Sequence, residues 1–151
     1  MFKRITVALD GSECAEQALQ VALKLAETEQ AELAICSVVD PIMIAGTAPP
    51  SPGMELVIRE METTAALLVA GAVEAARKAS LVAIGETRAG VAAFEILKYA
   101  KEVGADAIVM GTHGRGGIRR FFMGSVAETV LRESPVPVII VRERQRVAVH
   151  A

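Results

Sequence analysis

The chain has 151 residues, of which 52% are hydrophobic and 3% aromatic, and its formal net charge is −2 at pH 7. This length suits one domain with a substantial core, so residues 1–151 are expected to form a single domain. The slightly acidic balance argues against general nucleic-acid binding, which favours a basic domain. No membrane span is expected, because the apolar runs are far shorter than the roughly 18–20 residues that a spanning helix needs.

The N-terminus and the two cysteines indicate the cellular compartment. Met1 to Arg4 lead directly into a strand pattern, without the features of a cleavable signal peptide. Cys14 and Cys36 belong to no C-x-x-C or Cys/His cluster, and both thiols are expected to be reduced and buried. These features predict a cytoplasmic protein.

Strand and helix patterns alternate along the whole chain. They predict strand 3–9, helix 13–28, strand 32–39, helix 55–79, strand 81–89, helix 91–103, strand 106–111, helix 125–133 and strand 137–142. Such alternation predicts an α/β fold, with a mostly parallel sheet covered by helices on both faces.

Residues 41–53 separate the second strand from the second helix. They contain Pro49-Pro50-Ser51-Pro52-Gly53, which continues neither helix nor sheet, and we interpret the segment as a mobile loop. Further along, Gly104 is expected to cap the C-terminus of helix 91–103.

Two helices show an apolar face at helical spacing. In helix 13–28 the inward residues are expected to be Ala15, Ala18, Leu19, Ala22, Leu25 and Ala26. In helix 55–79 they are expected to be Met61, Ala65, Leu68, Ala72, Ala75 and Ala79.

Glycines surround the end of the fourth predicted strand. Gly111 and Gly114 follow the apolar run of that strand, and Gly124 and Ser125 open the next helix. Glycine lets a ligand approach the backbone without meeting a Cβ, and a helix N-terminus offers free N–H groups and a positive dipole end. The segment therefore predicts a site for a phosphate-bearing ligand.

Ser125 also has a structural interpretation. Ser125 and Glu128 have the spacing of a capping box, in which the hydroxyl accepts a backbone amide and the carboxylate returns to the cap. A capping hydroxyl keeps its own proton to donate, so capping and phosphate binding are compatible.

The glycine spacing matches neither of two common nucleotide motifs. The chain contains no G-x-x-x-x-G-K-[ST] and no G-x-G-x-x-G. Its G-x2-G-x9-G-[ST] pattern instead resembles the nucleotide motif of the universal stress protein family. Further resemblance lies in Ile5–Ser12, Val38-Val39-Asp40, Gly104-Ala105-Asp106 and Pro135–Val141.

The resemblance implies a three-layer fold with a five-stranded parallel sheet in the order 3-2-1-4-5. In that order strands one and four diverge and leave a crevice at their carboxyl ends, where ligands of such sheets bind. The implied ligand is an adenine nucleotide (ATP, ADP or AMP) with Mg²⁺. The candidate binding residues are Asp10, Val38, Met110, Gly111, His113, Gly114, Arg115, Gly124, Ser125 and Val126.

Several of these residues have alternative roles. Asp10 is expected to contact the nucleoside or to hold Mg²⁺ through water, and its alternative is a helix cap. Met110 lines the base pocket or belongs to the core, whereas Val38 contacts the base through its main chain. His113 is a ligand neighbour or an exposed loop residue. Arg115, together with Arg119 and Arg120, neutralises phosphate charge or is simply solvated.

The residue types favour binding over catalysis. A phosphoryl-transfer enzyme needs a cation clamp and a positioned base or water, and the chain has no Walker lysine and no supported Ser/His/Asp set. No catalytic residue is assigned, and ATP turnover is expected to be slow at most. The predicted function is a nucleotide-sensing stress-response module. The alternative is a dimeric interaction protein with a vestigial nucleotide site.

The last strand, residues 137–142, predicts a homodimer. It is apolar on both faces, yet the implied order places it at a sheet edge. A long apolar edge needs a partner to avoid aggregation, and the family resemblance also implies pairing with a second copy. The alternative is that residues 143–151 fold back over the edge.

Overall fold

The computed structural model describes residues 1–42, 46, 49, 51–113 and 123–143. Its elements are β1 (Arg4–Ala8), α1 (Glu13–Glu29), β2 (Glu32–Val39), α2 (Pro52–Lys78), β3 (Ala83–Ala89), α3 (Ala92–Glu102), β4 (Ala107–Gly111), α4 (Ser125–Glu133) and β5 (Val138–Val141). Each predicted strand and helix is present in this described part.

The strands form one parallel sheet in the order β3-β2-β1-β4-β5, which confirms the predicted order. Helices α1 and α2 cover one face and share a core cluster that includes Ile5, Val7 and Val109. Helices α3 and α4 cover the other face around Ile108 and Tyr99. The three-layer α/β fold is therefore confirmed.

Helix α1 buries the face that the sequence predicts. Ala15, Ala18, Leu19, Ala22 and Ala26 are buried, and Leu25 is half-buried. Ser12 caps the helix, because its side chain accepts a hydrogen bond from the amide of Ala15.

The predicted inward face of α2 is partly wrong. The buried residues are Ala65, Val69, Ala72 and Ala76, whereas Met61 is exposed. The reason lies in Gly85 on β3, where a Cβ would stand 2.3 Å from Cγ1 of Val69. Because Gly85 has no side chain, Val69 of α2 packs directly on the sheet at this position, although Val69 lies outside the predicted face.

The start of α2 corrects the predicted extent of the loop 41–53. Ser51 is the N-cap and accepts the amide of Met54 through Oγ at 3.3 Å, and Pro52 and Gly53 already belong to the helix. Proline is tolerated in the first helical turn, where its missing N–H would have no intrahelical partner. The predicted mobility falls largely on residues 43–45, 47–48 and 50, which lie outside the described residues.

The end of α3 confirms the predicted glycine cap. Gly104 has φ +67°, its amide donates to the carbonyl of Lys101, and the amide of Ala105 donates to that of Ala100. These two bonds form a Schellman motif, for which a left-handed glycine is the preferred residue.

Both cysteines are free and buried, as predicted. Burial raises the pKa of the Cys36 thiol to about 12. This thiol is therefore neutral at physiological pH and packs as a small apolar group.

Within the described residues, no helix combines the length and apolarity required to cross a membrane.

An ion network joins edge strand β3 to α3. The Arg88 side chain is only 9% exposed, and its guanidinium donates to Glu95 at 2.8 Å and to Glu102 at 2.8 Å. It also lies 5.6 Å from the ring centroid of Tyr99. Hydrogen bonding from Arg88 holds the pKa of Glu102 below its usual 4.5.

We expect Arg88→Met to destabilise the fold more at neutral pH than in acid. Because the folded-state pKa of Glu102 is lowered, the stabilisation is fully present above the unfolded pKa and is lost as pH falls through the folded pKa. Urea unfolding of both proteins at about pH 7 and pH 3 measures the difference. Lys101→Met is the control, since Lys101 makes no ion pair within the described residues and should show no such pH trend. An equal loss at both pH values would contradict a role for the carboxylates.

Candidate functional site

The carboxyl ends of β1 and β4 lie side by side. The two strands pair in parallel, with Val7 opposite Val109, and both end within a few residues of this pair. The chain leaves β1 towards β2 and leaves β4 towards β5, so the connections diverge here. This is the switch point at which open α/β sheets bind ligands.

The loop after β1 places Asp10 at this crevice. Asp10 is exposed, and its Oδ1 accepts the amide of Ser12 at 2.9 Å in a turn that Gly11 makes at φ +80°. The capping alternative for Asp10 is wrong, because Ser12 caps α1. No other group within the described residues donates to the Asp10 carboxylate, so most of its acceptor capacity faces solvent.

Ser12 also joins the loop to the segment after β4. Its hydroxyl accepts the amide of Ala15 at 3.1 Å and donates to the carbonyl of His113 at 3.3 Å. The single proton of this hydroxyl is thus already donated. The sequence interpretation did not include Ser12 in the site, although a serine just before Glu13 is a recognisable N-cap signal.

Thr112 and His113 continue from β4. Thr112 is buried, and its Oγ1 lies 2.9 Å from Nδ1 of His113 and 3.7 Å from Sγ of Cys14. His113 is half-buried, which corrects the exposed-loop alternative, and its Nε2 is buried without a partner among the described residues. Nothing in the sequence pattern singled out Thr112 as the residue that holds this ring.

Gly111 has a packing reason to be glycine. A Cβ at this position would lie 2.7 Å from Cβ of Cys14 and 3.0 Å from the amide nitrogen of Ala15. The first turn of α1 therefore rests directly on the end of β4. Contact of Gly111 with phosphate stays a prediction.

Gly124 begins α4. It is the N-cap, its amide donates to the carbonyl of Thr112 at 2.7 Å, and a Cβ would lie 2.9 Å from that oxygen. The predicted capping box of Ser125 and Glu128 is wrong, because the helix shows no side-chain cap. The tight contact between Gly124 and Thr112 fixes the start of the helix one residue earlier.

Within the described part of the chain, the N-terminus of α4 consequently has backbone donors without a partner. The amide of Glu128 is the first to bond within the helix, to the carbonyl of Gly124. The amides of Ser125 and Val126 precede it and have no intrahelical partner. Ser125 is exposed, and its hydroxyl is not used as a cap.

Val38 brings main-chain groups to the same edge. Along β2 the amide of Glu32 bonds to Lys3 and the carbonyl of Cys36 accepts from Leu9. In a parallel ladder, successive residues of a strand turn their main-chain groups to alternate sides. Those of Val38 therefore point to the β1 side, like those of Glu32 and Cys36, but at a level beyond the end of β1. This geometry suits the predicted base contact.

Met110 is a core residue. It is 5% exposed and packs in the cluster between the sheet and helices α3 and α4, where the side chains of Val38 and Val126 also lie. The base-pocket alternative for its side chain stays a prediction.

The remaining candidates, Gly114 and Arg115 together with Arg119 and Arg120, lie outside the described residues. The structure thus brings together Asp10, His113, Ser125 and the strand ends, and gives no geometry for the middle of the glycine motif.

Comparison with known proteins identifies the family. The model of the universal stress protein family matches residues 1–142. The universal stress protein YxiE of Bacillus subtilis is 34% identical over 148 residues, which cover 94% of this chain and 100% of YxiE. A second relative, universal stress protein MJ0531 of Methanocaldococcus jannaschii, is 30% identical over 97% of this chain and 85% of its own length.

Solved structures show the same fold. The protein MJ0577 superposes with a TM-score of 0.83 at 25% identity, covering 96% of this chain and 99% of that one. The universal stress protein from Archaeoglobus fulgidus in complex with dAMP has a TM-score of 0.61 at 25% identity, covering 92% and 97%. On the family match, the relatives and the shared fold, this chain belongs to the universal stress protein family.

Proposed function

We propose that the protein binds an adenine nucleotide at the crevice beyond β1 and β4 and acts as a nucleotide-responsive regulatory module in the cytoplasm. The observation that carries the proposal is the junction of three segments by two hydrogen bonds. Ser12 bonds to His113, and Gly124 bonds to Thr112. These bonds bring the β1 loop, the end of β4 and the N-terminus of α4 to one edge of the sheet.

The N-terminus of α4 would bind phosphate. The free amides of Ser125 and Val126 and the positive end of the helix dipole favour an anion, and the Ser125 hydroxyl adds a donor. Gly114 and Arg115 would complete the phosphate site from the preceding segment. Gly111, which ends β4, would let the ligand approach the backbone.

Asp10 and Val38 would recognise the nucleoside. An exposed carboxylate suits the ribose hydroxyls, and the outward main-chain groups of Val38 suit the edge of a base. The dAMP complex of the Archaeoglobus fulgidus relative supports an adenine nucleotide as the ligand class.

Mg²⁺ fits this site only as a companion of the nucleotide. Within the described residues no group of three or more His, Cys, Asp or Glu could hold a metal ion. Asp10 offers a single exposed carboxylate, whereas Mg²⁺ needs six oxygen ligands and commonly takes them from phosphates and water. Asp10 would therefore contact Mg²⁺ through water while the phosphates bind the ion directly.

The site favours occupancy sensing over rapid hydrolysis. Dedicated kinases turn over at roughly 1–100 s⁻¹ with a lysine or arginine clamp and a positioned base. Nδ1 of His113 is engaged by Thr112 at 2.9 Å and its Nε2 is buried, so neither ring nitrogen is exposed and free to act as a base at the phosphate. We therefore assign no catalytic residue and expect at most slow turnover of ATP.

Asp10→Ala is expected to weaken ATP and AMP binding about tenfold or more and to leave pyrophosphate binding nearly unchanged, since a charge-assisted hydrogen bond to the nucleoside is lost. Isothermal calorimetry with the three ligands measures the pattern. Asp10→Asn is the matched control, because its side-chain oxygen can still accept the Ser12 amide and keep the turn. A similar loss for all three ligands would show that Asp10 acts through the loop and not on the nucleoside.

A second candidate is a dimeric interaction protein whose nucleotide site is vestigial. The packing of Gly111 against Cys14 and of Gly124 against Thr112 favours it, because both glycines are required by the fold without any ligand. A folded protein that binds neither ATP nor AMP at millimolar concentration would support this candidate over the first.

We also propose a homodimer through β5, for either candidate function. This strand lies at the edge of the sheet, and its four residues are half-buried within the monomer.

A further inference from the structure

We propose that the gap between α1 and α2 is a second ligand site, for a small uncharged aromatic molecule. It has a volume of about 220 Å³ and opens to solvent beside the loop that follows β1. An apolar cavity of roughly 150 Å³ is large enough to bind benzene, so this gap has room for a ring compound.

The gap follows from how the two helices sit on the sheet. Helix α1 packs on β1 and β4, helix α2 packs on β2 and β3, and the two helices make little direct contact with each other. Several of their facing positions are small, namely Ala15 on α1 and Gly71, Ala72 and Ala75 on α2. Side chains of this size cannot close the space between the helices.

The walls of the gap are mainly apolar. Leu9 and Leu19 form its inner side, and Leu67 and Leu68 stand on the α2 side. Leu67 is 70% exposed, so a ligand in the gap would remove leucine surface from water. Burial of this surface is the main driving force that the site offers.

The polar lining limits the ligand's charge. Ser12 already donates its proton to His113 and accepts the amide of Ala15, so it offers little to a ligand. Glu16 is exposed at the lining and makes no ion pair within the described residues. Its negative charge disfavours an anion, and the described lining of the gap contains no lysine or arginine to attract one.

This site is separate from the nucleotide crevice. The side chains of Val38, Met110 and Val126 pack in the cluster on the α3 and α4 side of the sheet. Leu9, Leu19 and Ala72 belong to the cluster on the opposite side. Among the described residues, none of the candidate nucleotide-binding residues lines the gap, which approaches the proposed nucleotide site at the loop of Gly11 and Ser12. A nucleotide should therefore not compete with the aromatic ligand.

Indole is a suitable probe, with indole-3-carboxylate as the anion of the same ring. A ligand of this size in an apolar pocket should bind with a dissociation constant of roughly 0.1 to a few millimolar. Titration followed by amide NMR shifts should show saturation at Leu9, Leu19 and residues 67–75, and weaker binding of the carboxylate. Saturating ATP should leave the indole affinity unchanged.

Gly71→Phe should fill the gap and reduce the indole affinity about tenfold or more, because it occupies the volume that the ring needs. A Cβ at Gly71 meets nothing within 4 Å, so the variant is expected to fold, which its amide spectrum would verify. Gly71→Ala is the matched control and should change the affinity by no more than about twofold. The proposal is overturned if indole shows no saturable shifts in this set, if a folded Gly71→Phe variant binds it equally well, or if ATP displaces it.

Discussion

Replacing Gly111 with valine is expected to lower the free energy of unfolding by about 1–3 kcal/mol, the range for inserting bulk into a well-packed core. A Cβ there would lie 2.7 Å from Cβ of Cys14 and 2.9 Å from its carbonyl carbon. Backbone atoms of α1 cannot rotate away, and valine adds two further methyl groups. Urea unfolding followed by circular dichroism measures the loss.

Gly71→Ala is expected to have the opposite effect on the free energy of unfolding. Gly71 lies on an exposed helical position, and its Cβ would meet nothing within 4 Å. Alanine there should stabilise the protein by roughly 0.5–1 kcal/mol, because glycine loses more conformational entropy in a helix. The contrast separates steric packing from the general effect of removing a glycine.

The measured stability of Gly111→Val also bears on the function of the glycine. A Gly111→Val protein as stable as the unmodified chain would show that the packing against Cys14 is relaxed easily. Glycine at position 111 would then be explained better by close approach of a ligand. If the variant lost both stability and ATP binding, packing against Cys14 and close approach of a ligand would explain the glycine equally well. Asp10→Asn and Asp10→Ala therefore test nucleotide binding more directly.

The fold could be predicted from the sequence because the local patterns agree with one another. Buried parallel strands are continuous apolar runs, as in Ala107–Met110, and the helices between them repeat alanine and leucine at helical spacing. The strand order came from resemblance to the family and not from these patterns. The prediction for the face of α2 is partly wrong because Gly85, on the strand that follows the helix, decides where Val69 can pack, and the helical pattern alone does not contain this contact.

The site was predicted less completely, since its details depend on tertiary contacts. Ser125 and Glu128 form a plausible capping box in isolation, but the contact of Gly124 with Thr112 makes the glycine the cap. The sequence also allows Asp10 to cap α1, yet Ser12 takes that role while also bonding to His113 across the sheet. The cap at Gly124 depends on a tertiary contact with Thr112 that the helical pattern does not contain. The Ser12 cap is a local bond to Ala15, but the bond from Ser12 to His113 joins residues 101 apart in sequence and could not be predicted from local signals.

The proposed homodimer can be tested by a substitution that changes the backbone hydrogen bonding of β5. Val138 and Ile140 pack against the core cluster on one side of the sheet, and Ile139 and Val141 against the cluster on the other. A charged side chain in this strand would therefore disturb the monomer as well as any dimer. The outer backbone edge is the better target, because among the described residues nothing pairs with it. Residues 144–151, which the alternative would place over this edge, lie outside the described residues.

Ile140→Pro is expected to convert a dimer into a monomer at micromolar concentration. The carbonyls of Pro137 and Val141 accept hydrogen bonds from β4 and the residue that follows it. Because main-chain groups alternate along a strand, the amide of Ile140 points to the opposite side, away from the sheet. Proline removes this amide and is tolerated on an edge strand whose N–H faces outwards. Antiparallel pairing of β5 with its copy would lose a central hydrogen bond and meet the proline ring. Sedimentation velocity measures the change, with circular dichroism verifying the fold.

Ile140→Val is the control, since it also shortens the side chain but keeps the amide, and it should remain dimeric. A monomeric unmodified chain, or a folded proline variant that still dimerises, would contradict pairing through β5.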